Sequence, residues 1–282
     1  MTLVRSFRSA CDLANSLPAL VGSFMDLEQA LGRNFREDSL SDLVIASFLQ
    51  LPGNEVVIRT PPEHRTGSDF DLALVDLTSN TSFQYRIQAK RLRPVHDNWE
   101  ISSYRELAHH NGTGSQVLTL CKLANLAGPP PTVPLYAFYN PASIGALAGV
   151  DGIMLADAFE IESIVTGALG AKPRPRFKRL TSLKDLFFPL TDILCPPTGS
   201  GRGVATPRES RDSYARVREE RPRSVFSILK SHPVPNVGQE VPTELRLALL
   251  NGEAGRIQRA SVERPQIVIN APAPQEDGKK EG

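Results

Sequence analysis

Two carboxylates, an amide and an amine occur at alternating positions in two neighbouring segments of this chain. Asp69 and Asp71 are separated by one residue, and so are Gln88 and Lys90. Side chains two residues apart on a β-strand point to the same face of the sheet, so each pair shares a face if both segments are strands. Carboxylate and amide oxygens are ligands that Mg²⁺ prefers. A lysine beside them could offset negative charge that develops on a phosphate during the reaction. The pattern therefore predicts metal-assisted hydrolysis of a phosphodiester.

The two segments are predicted to form an antiparallel hairpin. The second segment alternates apolar and polar residues with the period of two that is typical of a half-buried strand. Its apolar members are Phe83, Tyr85, Ile87 and Ala89. A polar turn centred between residues 79 and 80 joins the strands and places Asp69 opposite Lys90 and Asp71 opposite Gln88. A register shift of two residues would keep all four side chains on one face, whereas a shift of one would separate them.

A helix over residues 35–50 is predicted to supply a further carboxylate. Its apolar stripe consists of Leu40, Leu43, Val44 and Leu51. Glu37 sits at the edge of that stripe and faces the body of the protein, whereas Asp38 and Asp42 point away from it. Mg²⁺ could then be held by Asp69, by the oxygen of Gln88 and by the main-chain carbonyl of Ala89.

Each of these residues also has a purely structural explanation. Asp69 and Lys90 would form a cross-strand ion pair of small energy. Glu37 lies three residues after Asn34, which is the spacing of a helix capping box. Gln88 would be an ordinary polar strand residue. The histidines are interpreted as surface residues, since His109 and His110 are adjacent on a predicted helix and His64 and His96 lie in predicted loops.

The remaining pattern predicts an N-terminal globular domain followed by a linker and a small appendage. Domain boundaries are placed at 1–195, 196–242 and 243–282, because residues 196–210 are rich in Pro, Gly, Ser and Thr. Further strands are predicted at 55–60, 69–77, 83–92, 134–139 and 266–269. Further helices are predicted near the N-terminus and at 101–109, 115–126, 156–169, 182–188 and 244–250, with a disordered tail after the last strand.

Composition limits the class of protein. The chain has 282 residues, 40% hydrophobic residues and a formal net charge of +1. No apolar run approaches the roughly 20 residues that cross a bilayer, so we expect a cytoplasmic protein with no membrane partner. The three cysteines, Cys11, Cys121 and Cys195, are expected to be reduced thiols rather than a disulfide framework or a zinc site. Seven arginines against four acids between 197 and 223 indicate a solvated linker or a phosphate contact.

The motif residues resemble those of the PD-(D/E)XK, or restriction-endonuclease-like, nuclease superfamily. RTGSDFDLALVD followed by YRIQAKRL looks like the Asp strand and the Gln-x-Lys strand of its Mrr-like members. FREDSLSDLVI resembles the helix that carries the Glu, and SYREL and SQVLTLCKLA resemble the segments after the motif. PLYAFYN looks like the closing strand of an uncharacterised bacterial domain family of this kind. The likeness covers residues 11–195.

The resemblance implies an α/β fold with a restriction-endonuclease-like core, in which helices flank a mixed sheet and an irregular C-terminal extension follows. It implies Asp69 as the principal ligand of Mg²⁺ or Mn²⁺, Gln88 as a neutral ligand, Lys90 as the catalytic lysine and Glu37 as an outer ligand. Asp71 is a second candidate ligand. Since Gln88 removes one negative charge from the family's pattern, cation binding is expected to be weaker or to lean on Asp71 and Glu37.

Three functions are compatible with these residues. The first is a metal-dependent endonuclease acting on DNA in preference to RNA, which the resemblance places in bacterial defence against foreign DNA. The second is a catalytically degenerate relative that binds nucleic acid or a partner protein, with the C-terminal extension as one docking element. The third is a protein-interaction scaffold with no nucleic-acid role. A homodimer is expected by analogy, because cutting both strands of a duplex needs two sites.

Overall fold

The computed structural model describes most of the chain, with gaps. The described residues are 7–32, 35–48, 50–51, 56–58, 66–95, 98–111, 114–126, 130–170, 175–195, 203–220, 229–243, 245–246 and 266–270. Within those ranges the α-helices α1 to α8 are Ala10–Ala30, Glu37–Phe48, Gln116–Leu126, Ala142–Ala148, Ala158–Gly170, Leu180–Leu183, Thr191–Leu194 and Pro207–Glu219. Short 3-10 helices are found at Arg105–Ala108, Pro175–Lys178 and Lys184–Leu186.

The strands form a mixed central sheet with helices on both faces. Strands β1 to β11 are Val56–Ile58, Phe70–Asp76, Thr81–Arg91, Arg93–Val95, Asn98–Ser103, His110–Asn111, Gly114–Ser115, Thr132–Tyr139, Ile153–Asp157, Phe188–Pro189 and Gln266–Asn270. Among the described residues the main sheet has the strand order β1-β11-β2-β3-β8-β9-β10. β3 lies at its centre, antiparallel to β2 and parallel to β8. The chain therefore has a mixed α/β fold, as predicted.

Both faces of β3 are covered. The face that carries Phe83, Tyr85 and Ile87 packs against α1, α2 and α8 in one apolar cluster. A second cluster on the opposite side of the sheet joins Tyr136 and Phe138 of β8 to α3 and α5. The apolar face of β3 was predicted correctly, but its polar face is also mostly buried, because β3 is a central strand of a sheet that is covered on both faces.

The hairpin between β2 and β3 is confirmed, but its predicted register is wrong. Phe70 pairs with Ile87 and Asp76 pairs with Thr81, so continuing the register places Asp69 opposite Gln88 rather than Lys90. The Asp76 carboxylate accepts hydrogen bonds from the N–H groups of Thr78 and Ser79. These bonds place the turn one residue earlier than predicted. Because the shift is two residues, each side chain keeps its face.

Three helix predictions need correction. Residues 101–109 form the end of β5 and a 3-10 helix instead of an α-helix, since the Ser102 hydroxyl bonds Asn98 and Val95 and closes a β-hairpin. The helix predicted from residue 156 begins at Ala158, because the two residues before it complete β9 on the edge of β8. Residues 182–188 divide between α6, a 3-10 helix and β10. The helix at 115–126 and the strand at 134–139 are confirmed.

The C-terminal part differs from the predicted linker and appendage. Residues 207–219 form α8, which begins with a capping box between Thr206 and Glu209. Its Tyr214 is fully buried in the apolar cluster below the sheet. The predicted strand at 266–269 is confirmed as β11, and it pairs in parallel with β2 inside the main sheet. Most of the helix predicted at 244–250 and the tail after 270 lie outside the described residues.

Cys11 and Cys195 form a disulfide, which corrects the prediction of reduced thiols. Their positions are 184 residues apart in sequence, and only the packing of α1 beside the end of α7 brings them together. Cys121 is a buried free thiol, as predicted. Disulfides are rare in the cytosol, so this bond does not support the predicted cytoplasmic location. That location stays a prediction. None of the described helices is long and apolar enough to cross a membrane.

Reduction of this disulfide is expected to lower the free energy of unfolding by about 2–5 kcal/mol, because the bond closes a very long loop in the unfolded chain. Urea unfolding with and without a reductant measures the difference. The double variant Cys11→Ser/Cys195→Ser is the control, since reductant should leave its stability unchanged. Equal stability of the oxidised protein and the fully reduced protein, checked by thiol titration, would refute the prediction.

Candidate active site

The site lies where β3 extends beyond its neighbour β2. β2 covers β3 only as far as Ile87, whose carbonyl accepts the Asp69 N–H at 2.8 Å. Beyond that point the N–H groups of Ala89 and Arg91 face an edge beside which the described part of the chain places no strand. Side-chain carboxylates take the place of the missing strand: Asp69 accepts the Ala89 N–H at 2.6 Å, and Glu37 accepts the Arg91 N–H at 3.0 Å. Two carboxylates are thereby fixed beside the strand that carries Lys90.

Asp69 is a buried carboxylate with a strongly raised pKa. Its Oδ2 also accepts a hydrogen bond from the Gln88 amide, directly across the hairpin. Burial, the largest effect, raises the pKa of Asp69 to about 7, while the nearby Lys90 lowers it and Glu37 raises it further. A bound cation would favour the charged form of this carboxylate.

Glu37 and Lys90 form an ion pair inside the site. Glu37 is the first residue of α2, and its Oε1 lies 2.9 Å from the Lys90 Nζ. The lysine side chain is only 3% exposed, so α2 holds its ammonium in one place. This explains why Glu37 faces the body of the protein, as predicted. The capping-box alternative involves Asn34, which lies outside the described residues.

Asp71, the second candidate ligand, lies apart from this group. The Arg86 guanidinium donates two hydrogen bonds to its carboxylate, at 3.1 and 3.0 Å. The Gln84 amide donates a third, at 3.0 Å. Asp71 lines no part of the cleft that contains Asp69 and Lys90. Because Asp71 lies two residues after Asp69, both side chains point to the same face of the sheet, but they have different neighbours on the opposite strand.

Gln88 lies behind the cleft and presents an unsatisfied acceptor. Its Nε2 bonds Asp69 and the Ala89 carbonyl, whereas its buried Oε1 has no hydrogen-bond partner among the described residues. Leaving a buried acceptor unpaired costs about 1–3 kcal/mol. An unpaired oxygen of this kind is able to bind a ligand, either as it stands or after rotation of the Gln88 amide.

The cleft in front of these residues has a volume of about 290 Å³ and is lined by five cationic and four acidic side chains. Besides Glu37, Asp69 and Lys90, it is lined by Arg36, Asp38, Arg91, Arg93, Arg105, Glu106, His109 and Gln116. His109, which the sequence places on the surface, is exposed at the rim. The arginines were not identified from the sequence as residues of the site: Arg93 follows the motif in β4, and the 3-10 helix after β5 brings Arg105 to the cleft. An excess of positive charge favours an anionic substrate.

The oxygen donors present fit Mg²⁺ or Mn²⁺ only in part. Asp69, the Ala89 carbonyl and Gln88 Oε1 offer hard oxygen ligands at one strand edge. No group of three or more His, Cys, Asp or Glu side chains placed to hold a metal occurs among the described residues. Mg²⁺ commonly uses one or two protein carboxylates and completes its shell with water and substrate phosphate. The arrangement therefore suits a cation that binds together with a phosphate substrate.

A buried clamp fixes the start of α2 to β3. The Arg91 guanidinium donates to Glu28 Oε1 of α1 and to the Phe35 carbonyl, while the Phe35 N–H donates to the same Glu28 oxygen at 2.8 Å. The Glu28 and Arg91 side chains are 1% and 6% exposed. Phe35 lies two residues before Glu37, so this clamp sets where Glu37 meets Lys90. Sequence inspection did not find it, since Glu28 and Arg91 are 63 residues apart.

The raised pKa of Asp69 predicts a pH-dependent stability of the metal-free protein. In the unfolded chain the carboxyl ionises at its usual value of 3.8, and in the folded protein at about 7. Folding therefore binds a proton in this window, and stability falls as the pH rises from about 4 to about 7, by at most about 4 kcal/mol. Asp69→Asn, which cannot ionise, should lack this decline.

Urea unfolding of both proteins in EDTA at pH 4.5 and pH 8 measures the effect. The variant should exceed the wild type in stability only at the higher pH. The same change in stability with pH in both proteins would show that Asp69 ionises normally.

Comparison with known proteins adds a family but no activity. A model described as "Family of unknown function (DUF6615)" matches residues 10–273 of the chain. No curated protein and no solved structure matches it.

Proposed function

The chain belongs to this family of unknown function, and we propose that it is a divalent-metal-dependent nuclease that hydrolyses phosphodiester bonds of DNA. The observation that carries the proposal is the pairing of Asp69 and Glu37 with the free edge of β3 beside the buried Lys90. The resemblance of these residues to the Asp and Gln-x-Lys strands of restriction-endonuclease-like nucleases supports it. That resemblance also implies a role in bacterial defence against foreign DNA.

Each residue of the site has a distinct part in the proposed reaction. Mg²⁺ or Mn²⁺, held by Asp69 with the oxygens of Ala89 and Gln88, would supply polarisation of the scissile phosphate and activation of water. The Lys90 ammonium would orient the attacking water and offset charge that develops on the phosphate. Glu37 would keep that ammonium in place and preserve its charge. Arg93 and Arg105, which line the cleft, would bind the flanking phosphates.

Incubation of the purified chain with several nucleic acids tests the proposal. Supercoiled plasmid, single-stranded DNA and single-stranded RNA are each tested with Mg²⁺, Mn²⁺ or EDTA. We expect strand scission of DNA that requires a divalent cation. Scission of RNA alone would reassign the substrate, and scission of neither by a folded sample would contradict the proposed activity.

A degenerate nuclease fold that only binds nucleic acid is the second candidate. It is favoured by the neutral Gln88 at the position of an acidic ligand, and by the absence of a three-ligand metal group among the described residues. This protein would show salt-sensitive DNA binding without scission. Metal-dependent cleavage activity that co-purifies with the chain and is lost on replacement of Lys90 would exclude this second candidate.

A further inference from the structure

A cationic surface continues from the cleft onto the segment around residues 175–179. Arg105 lines the cleft, and its main-chain carbonyl accepts a hydrogen bond from the Lys178 Nζ at 2.8 Å. The Lys178 carbonyl in turn accepts the Tyr104 N–H at 2.9 Å. These bonds fix the 3-10 helix Pro175–Lys178 directly beside the rim of the cleft. Arg176 of this helix is exposed.

A second set of backbone contacts places Arg179 in line with the cleft. Arg93 of β4, which lines the cleft, pairs with Ser103 of β5, and Ser103 forms an antiparallel bridge with Arg179. Directly opposite residues in antiparallel pairing point to the same face. The side chains of Arg93 and Arg179 therefore lie on one face on either side of Ser103, about 10 Å apart at two strand spacings.

Among the described residues, no carboxylate lies within ion-pairing distance of Arg105, Arg176, Lys178 or Arg179. We call these four residues the basic shelf.

Two arginines of α8, by contrast, have partners within the protein, although the sequence singled out their region as the candidate for phosphate contact. Arg218 pairs with the buried Asp157, and Arg211 pairs with Asp212 and donates to the Pro235 carbonyl. Internal partners therefore satisfy these two cations, whereas the cations of the basic shelf have no carboxylate partner among the residues that the structure describes.

We propose that the basic shelf binds the phosphate backbone of the nucleic acid whose scissile bond enters the cleft. This inference rests on the proposed nuclease function for the identity of the substrate. Unpaired arginines and lysines in a continuous track are the groups that contact phosphate oxygens and release counterions. The basic shelf would position the part of the nucleic acid that lies beyond the scissile bond. It would do so through the phosphates, without contacting the bases.

The double variant Arg176→Gln/Arg179→Gln tests this proposal, because neither side chain has an intramolecular partner among the described residues. Binding of a 30-base-pair duplex is measured in EDTA, and again with Ca²⁺, over a series of salt concentrations. The control Arg8→Gln/Arg208→Gln removes the same charge from two exposed arginines outside the cleft and the shelf. Loss of two phosphate contacts reduces the slope of log K against log salt by about 2, so between 50 and 200 mM salt the wild type should lose about tenfold more affinity than the variant.

The outcome for the shelf is separate from the outcome for the nuclease. A reduced slope and weaker binding in the shelf variant, with the control unchanged, support the shelf whether or not the wild type cuts DNA. Equal slopes in both variants, or no duplex binding by the wild type, overturn it. Failure of the proposed nuclease function appears instead as absence of metal-dependent scission while shelf-dependent binding persists.

Discussion

Replacing Lys90 with methionine is expected to lower the rate of DNA cleavage by about a hundred- to a thousandfold, the loss typical of removing one group that stabilises charge in a transition state. Methionine keeps most of the volume of the buried side chain but cannot donate hydrogen bonds or offset charge. Glu37 keeps its hydrogen bond from the Arg91 N–H in the variant, so the start of α2 should hold its place. Single-turnover cleavage of a labelled duplex in Mg²⁺ measures the rate.

Lys122→Met is the matched control, because Lys122 is exposed on α3 and does not line the cleft. It should cleave at the wild-type rate. Thermal unfolding and duplex binding in EDTA check that the Lys90 variant is folded and still recognises its substrate. A folded Lys90→Met protein that cleaves as fast as the wild type would remove Lys90 from the reaction.

The largest effect on stability is expected at the buried clamp between Glu28 and Arg91. Arg91→Met leaves the Glu28 carboxylate buried without its cation, so the free energy of unfolding should fall by about 3–5 kcal/mol. The double variant Glu28→Gln/Arg91→Met removes the stranded charge and keeps an oxygen that can accept the Phe35 N–H. It should regain much of the loss. Urea unfolding of the wild type, both single variants and the double variant gives the coupling energy.

An exposed pair provides the comparison for this measurement. Arg36 and Asp38 lie 3.5 Å apart with side chains 83% and 66% exposed, so Arg36→Met should change stability by less than about 1 kcal/mol. If Arg91→Met costs no more than Arg36→Met, the clamp does not hold α2 to β3. If the double variant is as unstable as Arg91→Met, the loss comes from packing rather than from the unpaired carboxylate.

Local pattern was sufficient to predict the elements that carry the candidate site. The alternation around Lys90 identified the apolar face of β3, and the stripe of α2 placed Glu37 toward the body of the protein. Both signals arise from side-chain periodicity within one element, which sequence records directly. The pairing of Asp69 with Gln88 was missed by two residues, because the Asp76 side chain determines where the turn forms.

Contacts between distant parts of the chain could not be predicted in the same way. The Glu28–Arg91 clamp, the Cys11–Cys195 disulfide and the pairing of β11 with β2 all depend on how the elements pack. Residues 203–220 have the loop-forming composition of a linker at their start, yet Tyr214 packs into the core and its hydroxyl bonds Asp157. Burial of one aromatic side chain outweighed local composition there.

The dependence of plasmid nicking on Mn²⁺ concentration, measured for the wild type and for Asp69→Asn, tests the central claim most directly. If Asp69 holds the cation at the free edge of β3, the wild-type rate rises to saturation with Mn²⁺ and falls to background in EDTA. Asp69→Asn should remain at background or need a far higher concentration. Nicking that is equally fast in EDTA, or that saturates at the same Mn²⁺ concentration in both proteins, would contradict a metal-dependent nuclease site at this cleft.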